Sequence, residues 1–131
     1  MIVIDASALV ELLIGGTPRA ARVASRLQPG VTLHAPHLID LEITSVLRTL
    51  ETRRALTPAA ATRAIVDLVA IDVTRYPHEV LAPRVWQLRK NLTPYDACYV
   101  ALAESLGAPL LTCDARLHAA PGHGARVELV A

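Results

Sequence analysis

The sequence is poor in aromatic residues and in cysteine. It contains no phenylalanine, one tryptophan and three tyrosines, so aromatic residues make up only 3% of the chain. The two cysteines, Cys98 and Cys113, are too few for a disulfide framework or a cysteine zinc site, and there is no CxxC motif. We therefore expect two reduced thiols in a cytoplasmic protein.

Long apolar runs and a strong net charge are also missing. The longest apolar stretches, 8–14 and 68–73, are interrupted by Glu11 and Asp72, whereas a membrane-spanning helix needs about 20 mainly apolar residues. The N-terminus has neither the basic segment nor the cleavage site of a signal peptide. A net charge of +1 and a pI of about 7.9 exclude a strongly basic nucleic-acid coat. Any binding of nucleic acid would depend on a local patch and bound cations.

What the chain does have is aliphatic character and a regular alternation of elements. Its 131 residues predict one domain, 1–131, and an apolar fraction of 53% exceeds what one small core readily hides, which favours a subunit interface. Short apolar segments alternate with helical patterns, which predicts an α/β fold with a short parallel five-stranded sheet and helices on both faces. The predicted strands are 1–4, 32–35, 70–74, 110–112 and 127–130, and the predicted helices are 7–14, 17–27, 37–53, 57–69, 78–89, 93–106 and 114–119.

Four acidic residues fall where such a fold places its chemistry. Asp5 follows the first strand and Asp114 follows the fourth, while Glu42 and Asp96 lie on the first turns of two helices. Ligands of parallel sheets bind outside the carboxyl ends of the strands. Carboxylates gathered there, without a covalent nucleophile, suit a hard divalent cation and indicate metal-assisted phosphodiester chemistry.

Each of these acids also has a simpler interpretation. Asp5 and Asp114 could be the N-caps of the helices that follow them. Asp96 lies three residues after Thr93, which resembles a capping box, and Glu42 could be an ordinary exposed residue. Capping and metal binding are compatible because both use the same end of the fold.

Four segments in a fixed order carry a resemblance to a known family. The chain resembles a PIN-domain ribonuclease, and most closely the VapC toxins of bacterial toxin–antitoxin pairs. The segments are 2–8 (IVIDASA), 36–43 (PHLIDLEI), 93–103 (TPYDACYVALA) and 111–117 (LTCDARL), and they span nearly the whole domain.

The resemblance implies a three-layer PIN-like fold and a set of site residues. The acidic quartet of the family carries over onto Asp5, Glu42, Asp96 and Asp114, and its two hydroxyls carry over onto Ser7 and Thr112. Asp5, Asp96 and Asp114 are predicted ligands of Mg²⁺, with Mn²⁺ as an alternative, and Glu42 is either a ligand or the base that orients the attacking water. Ser7 and Thr112 would orient the carboxylates or the waters of the metal.

The resemblance also implies an activity and partners. It implies cleavage of RNA that leaves a 5′-phosphate and a 3′-hydroxyl, a homodimer, and a VapB-like antitoxin that inhibits the enzyme. Arg48, Lys90 and Arg116 are candidates for phosphate contacts, or else surface charges, and Tyr95 either stacks on a base or is partly buried. We interpret Asp40 as a cap or surface residue, and His118 as a solvated surface histidine.

The sequence argues against three other functions. An Asp-nucleophile phosphohydrolase would have a second Asp two residues after Asp5, and a dinucleotide-binding domain would have GxGxxG after the first strand; the chain has neither. The remaining alternative is a non-catalytic PIN-like module that binds RNA or a protein. The intact acidic quartet argues against that alternative.

Overall fold

The fold is a parallel five-stranded sheet covered by helices on both faces. The computed structural model describes all residues, 1–131. The strand order is β3-β2-β1-β4-β5, and every neighbouring pair is parallel. This confirms the predicted fold class. The strands are β1 (Ile2–Ile4), β2 (Leu33–Pro36), β3 (Val73–Tyr76), β4 (Leu110–Thr112) and β5 (Val127–Leu129).

Seven helices form the two outer layers. They are α1 (Ala6–Ile14), α2 (Pro18–Ser25), α3 (Ile39–Thr52), α4 (Pro58–Ala70), α5 (Ala82–Gln87), α6 (Pro94–Leu106) and α7 (Ala115–Ala119). Helices α1 to α4 pack against one another, while α5 packs on α6, which lies against β1, β2 and β4. The chain moves from β1 to β3 in one direction and returns to β4 and β5 in the other. Right-handed crossovers therefore place the two helix groups on opposite faces.

Helix α6 packs between α5 and the sheet, and residues at each of its ends fix where it begins and ends. The Thr93 hydroxyl accepts the Asp96 N–H at 3.2 Å, Pro94 fills the first helical position, and Gly107 ends the helix at φ 60°, the left-handed conformation that glycine adopts most easily. The seven consecutive residues 97–103 are all buried. A helix buried all round keeps the acid at its N-terminus in a fixed position.

Three local predictions were wrong. The predicted strand 70–74 begins only at Val73, because α4 continues through Ala70. The predicted helix 78–89 is reduced to α5, which starts next to Pro83. The predicted strand 32–35 stops one residue early, because Pro36 is still paired with Tyr76 of β3. Strand β1 ends before this point, so it has no carbonyl that lacks a partner because proline has no N–H.

A single cluster of buried aliphatic residues fills the space between the sheet and both helix layers. Tyr99 is the only aromatic side chain among the largest fully buried residues. Both cysteines are free thiols, with Cys98 buried and Cys113 half-buried. None of the seven helices combines the length and the apolar character needed to cross a bilayer.

Candidate active site

The acidic residues meet at the carboxyl ends of the strands, where the strand order reverses between β1 and β4. Such a switch point is the expected ligand site of an open parallel sheet. A cavity of about 300 Å³ opens there. It is lined by Asp5, Ala6, Ser7, Glu42, Ser45, Val46, Asp96, Tyr99 and Asp114. The fold therefore brings together the four acids, which are up to 109 residues apart in sequence (5 to 114).

Asp5 is the most buried of the four acids, with 5% of its surface exposed. One carboxylate oxygen accepts hydrogen bonds from the Ser7 hydroxyl at 2.7 Å and from the Ala8 N–H at 3.0 Å, and the other accepts one from the Thr112 hydroxyl at 2.5 Å. The bond to the Ala8 N–H makes Asp5 the N-cap of α1. Asp5 therefore caps α1, as one interpretation of the sequence predicted, and it also lines the acidic cavity.

Ser7 and Thr112 connect Asp5 to the chain that carries Asp114. The Ser7 hydroxyl accepts the Cys113 N–H at 2.9 Å, and the Thr112 hydroxyl accepts the Asp114 N–H at 2.9 Å. Each hydroxyl thus donates to Asp5 and accepts from the backbone after β4. This network holds the two carboxylate-bearing segments in one register.

Asp114 is the N-cap of α7, as one of the two interpretations of the sequence predicted. Its Oδ1 accepts the Arg116 N–H at 2.9 Å. The guanidinium of Arg116 lies 3.9 Å from the same carboxylate, but the Arg116 side chain is 96% exposed. Arg116 is therefore a weakly held cation at the mouth of the acidic cavity.

Glu42 lies on the first turn of α3 and is half-buried. The hydroxyl of Tyr99, which is fully buried, donates a hydrogen bond of 2.6 Å to Glu42 Oε1. The sequence prediction assigned no role to Tyr99. The spacing in the sequence could have indicated a site position for Tyr99. It follows Asp96 by three residues and therefore lies one helical turn further along the same face of α6. Ser45, three residues after Glu42, was missed in the same way.

The electrostatics of the cavity are those of crowded acids. Burial, opposed by the three hydrogen bonds, raises the pKa of Asp5, and Asp114 adds to the rise. Burial also raises the pKa of Glu42, with further contributions from Asp96 and Asp5. The pKa of Asp96 is raised by burial and by Asp114, and Arg116 opposes this. Ionised forms that are disfavoured in this way are stabilised by a cation placed among them.

The donor set fits a hard divalent cation held largely through water. As the side chains stand, no three acidic or histidine groups converge closely enough to ligate one ion. Mg²⁺ needs fewer protein ligands than that, because it retains several waters and is commonly bound through one or two carboxylates. The cavity has room for such waters, and all its charged donors are carboxylates.

The other residues considered from the sequence lie outside this cavity. Tyr95 is exposed rather than partly buried, and it lines a separate apolar cavity that also includes Cys98. Asp40 is not a cap: it forms a two-bond ion pair with Arg75 on β3. Arg48, Lys90 and His118 are exposed at the surface. Cys113 lines a larger apolar groove next to the acidic cavity.

Comparisons with known proteins identify the family to which the chain belongs. The PIN domain family model matches residues 2–122. Ribonuclease VapC12 of Mycobacterium tuberculosis is 44% identical over 131 residues, 100% of both chains. Ribonuclease VapC9 of the same species is 48% identical over 118 residues, which cover 89% of this chain and 88% of the relative.

A solved structure agrees at the level of the fold. The crystal structure of M. tuberculosis VapC20, described as a toxin that cleaves the sarcin–ricin loop, superposes with a TM-score of 0.67 over 91% of this chain and 94% of that chain, at 18% identity. The fold and the acidic cavity define an α/β domain with a carboxylate site at the switch point of its sheet. The chain belongs to the PIN-domain family and, within it, to the VapC ribonucleases.

Proposed function

We propose that this protein is a divalent-metal-dependent endoribonuclease that acts as the toxin of a toxin–antitoxin pair. The observation that carries the proposal is the convergence of Asp5, Glu42, Asp96 and Asp114 on one cavity in a chain that belongs to the VapC ribonucleases. Mg²⁺ is the expected ion, and Mn²⁺ would be accepted by the same oxygen ligands.

The four acids have distinct expected roles. Asp5, Asp96 and Asp114 would hold the ion directly or through water, and Glu42 would either join them or accept a proton from the attacking water. A bound ion supplies charge neutralisation at the phosphate and lowers the pKa of water. Ser7 and Thr112 fix both oxygens of Asp5, so this carboxylate is oriented before any ligand arrives.

RNA would approach from the open side of the cavity. Arg116 is free to swing from Asp114 to a phosphate next to the scissile bond, because its side chain is almost fully exposed. Tyr95 is 61% exposed and immediately precedes Asp96, so its ring could stack on a base of a single strand. Cleavage would leave a 5′-phosphate and a 3′-hydroxyl.

Two protein partners belong to the proposal. A homodimer would cover part of the exposed apolar surface, which includes Leu41 at 72% and Trp86 at 67% exposure. A VapB-like antitoxin would inhibit by placing a cationic side chain among the four carboxylates. We place the toxin in the cytoplasm, where its RNA substrate is found.

The test is to sequence RNA ends in cells after induction of the wild type and of Asp96→Asn. We expect new 5′-phosphate ends only with the wild type. A second test uses the purified wild type, which should cleave RNA with Mg²⁺ and lose this activity in excess EDTA. Calorimetry with Mn²⁺ tests the alternative: we expect heat of binding only if the acidic quartet is competent, and its absence would favour the non-catalytic RNA- or protein-binding module. Light scattering, and cleavage in the presence of the neighbouring gene's product, test the dimer and the antitoxin.

A further inference from the structure

Helix α3, which carries Glu42, begins without a side-chain cap of its own. Leu38 occupies the N-cap position with helical backbone angles, and its side chain has no oxygen to accept an N–H. The free N–H groups at a helix start must be satisfied from elsewhere. For α3 the partners come from the end of the edge strand β3 and from the residues that follow it.

Two consecutive amide groups before α3 bind to that segment. The Tyr76 carbonyl accepts the His37 N–H at 2.9 Å, and Nε2 of His78 accepts the Leu38 N–H at 2.9 Å. To accept this bond, His78 must be neutral with its proton on Nδ1. The His37 and His78 rings also meet edge to face, with centroids 6.0 Å apart.

A salt bridge ties the first turn of α3 to the same segment. Two guanidinium nitrogens of Arg75 donate to the two carboxylate oxygens of Asp40, each at 2.8 Å. Such two-bond pairs fix orientation as well as distance. We refer to Arg75, Tyr76 and His78, with their bonds to α3, as the α3 anchor.

The α3 anchor leads directly to Glu42. Leu38 donates its backbone N–H to His78, and its carbonyl accepts the Glu42 N–H at 3.0 Å. Neither Arg75 nor His78 lines the acidic cavity, so neither contacts the carboxylates of the site directly. His78 lines the separate apolar cavity that includes Tyr95. Asp40 lies two residues before Glu42 and points to Arg75, so its negative charge is neutralised outside the site.

We propose that His78 and the Arg75–Asp40 pair are positioning residues, which place Glu42 against Tyr99 and thereby in the acidic cavity. The inference rests on the proposed function in that Glu42 is taken as a site residue. The α3 anchor fixes the start of α3. The 2.6 Å hydrogen bond from Tyr99 to Glu42 then shows whether Glu42 is in its place.

The experiment uses the full chain labelled with ¹³Cζ-tyrosine, without metal and without RNA. The chain has three tyrosines, so three signals are expected. Tyr99→Phe assigns the Tyr99 signal, and Glu42→Ala gives its position when the hydrogen bond is lost. We expect His78→Ala and Asp40→Asn each to move the Tyr99 signal toward that position. His78→Gln should restore it, because the amide oxygen of glutamine can accept the Leu38 N–H.

Cleavage of a short RNA that the wild type cuts gives the second readout. We expect His78→Ala to lower kcat about tenfold with KM changed less than about twofold, because a misplaced group costs rate rather than binding. The matched controls are His118→Ala, an exposed histidine, and Asp67→Asn, which breaks an exposed ion pair with Arg63; both should behave as wild type.

An unmoved Tyr99 signal in both His78→Ala and Asp40→Asn would overturn the proposal, and so would a glutamine variant as impaired as the alanine variant. If His78→Ala does not fold, Asp40→Asn decides alone. A moved Tyr99 signal in a protein whose wild type cuts no RNA would preserve the positioning role of the α3 anchor and reject the ribonuclease function.

Discussion

The two ends of α6 carry carboxylates in opposite electrostatic states. Asp96, in the first turn, has a raised pKa because it is half-buried and lies near Asp114. Glu104, in the last turn, has a lowered pKa because Arg84 donates two hydrogen bonds of 2.9 Å to it, and the Gly124 N–H donates a third. One helix therefore holds an acid that is crowded by other acids and an acid that is fully paired with a cation.

The helix dipole alone would predict the reverse. A carboxylate is stabilised at a helix N-terminus and destabilised at a C-terminus by roughly 0.3–1 kcal/mol. At both ends of α6 the neighbouring groups determine the direction of the shift instead. The Arg84–Glu104 pair stabilises the fold by joining α5 to α6. The crowded acids around Asp96 instead raise the free energy of the metal-free fold, as is common at functional sites.

The largest expected effect is loss of activity at the acidic end. Asp5→Asn and Asp96→Asn should lower cleavage by at least about 100-fold, because each removes a charge needed to hold the ion. Since relief of repulsion among the acids compensates for lost contacts, we expect the metal-free Asp96→Asn variant to melt at the same or a higher temperature than wild type. Cleavage assays and calorimetric melting in EDTA measure both. The matched control Glu104→Gln should keep its activity, and full cleavage by both asparagine variants would refute the site.

The next effect concerns the hydroxyls that hold Asp5. Thr112→Val keeps the shape of a fully buried side chain but removes the donor to Asp5 and the acceptor of the Asp114 N–H. We expect a loss of about 10- to 100-fold in cleavage rate or in Mn²⁺ affinity, and a similar loss for Ser7→Ala. Thr112→Ser retains the hydroxyl and should retain most of the activity. Equal activity of the serine and valine variants would contradict this role.

Features of the fold and of the site could be predicted from the sequence where they depend on residues that are close together in the chain. The ends of α6 were predicted because Thr93, Pro94 and Gly107 each act on their immediate neighbours. The positions of Asp5 and Asp114 at the carboxyl ends of strands followed from the apolar segments directly before them, whereas the strand order that makes this edge the switch point did not. Both inferences need only a few consecutive residues.

Contacts between segments that are far apart in the chain have no corresponding short pattern in the sequence. Asp40 was interpreted as a cap or surface residue because its partner, Arg75, lies 35 residues away on a strand whose predicted bounds were too early. Tyr99 belongs to a run of buried residues, and the run alone does not say which of them faces α3. Helical spacing reduces the number of residues of α6 that could face α3, but only the packing of the two helices shows that Tyr99 does so.

A smaller effect is expected at Tyr99. Tyr99→Phe removes the donor to Glu42 and leaves a half-buried carboxylate oxygen without a partner. We expect the free energy of unfolding to fall by about 1–2 kcal/mol. Cleavage should fall about three- to tenfold, because Glu42 loses one of the contacts that orient it. Denaturant unfolding and cleavage rates measure these effects. A variant with wild-type stability would show that the hydrogen bond contributes nothing in solution.

The opposite pKa shifts at the two ends of α6 predict opposite effects of pH on stability. The raised pKa of Asp96 means that its contribution to stability, present at low pH, is lost as the pH rises from its unfolded value of about 3.9 through its folded value. The lowered pKa of Glu104 means that its contribution, present above its unfolded value of about 4.3, is lost as the pH falls.

Melting temperatures in EDTA, measured from acidic to neutral pH, test this contrast. Relative to wild type, Asp96→Asn should gain stability as the pH rises, and Glu104→Gln should lose it. The expected differences are a few degrees for a chain of this size. Parallel curves for all three proteins would mean that neither carboxylate titrates differently in the folded and unfolded states.

The smallest effect is expected for the cysteines, although Cys98 lies two residues from Asp96. Burial, together with Glu42 and Asp96, raises the pKa of Cys98 to about 12, and burial raises the pKa of Cys113. A thiol that stays protonated is a poor nucleophile. We expect Cys98→Ser and Cys113→Ser to cleave RNA within about twofold of wild type, since neither sulfur lines the acidic cavity. Iodoacetamide at pH 8 should leave Cys98 of the folded protein unmodified over a time in which a free thiol reacts fully. Rapid alkylation of Cys98, or loss of cleavage in the serine variants with Mn²⁺ binding intact, would give the thiols a part in the chemistry.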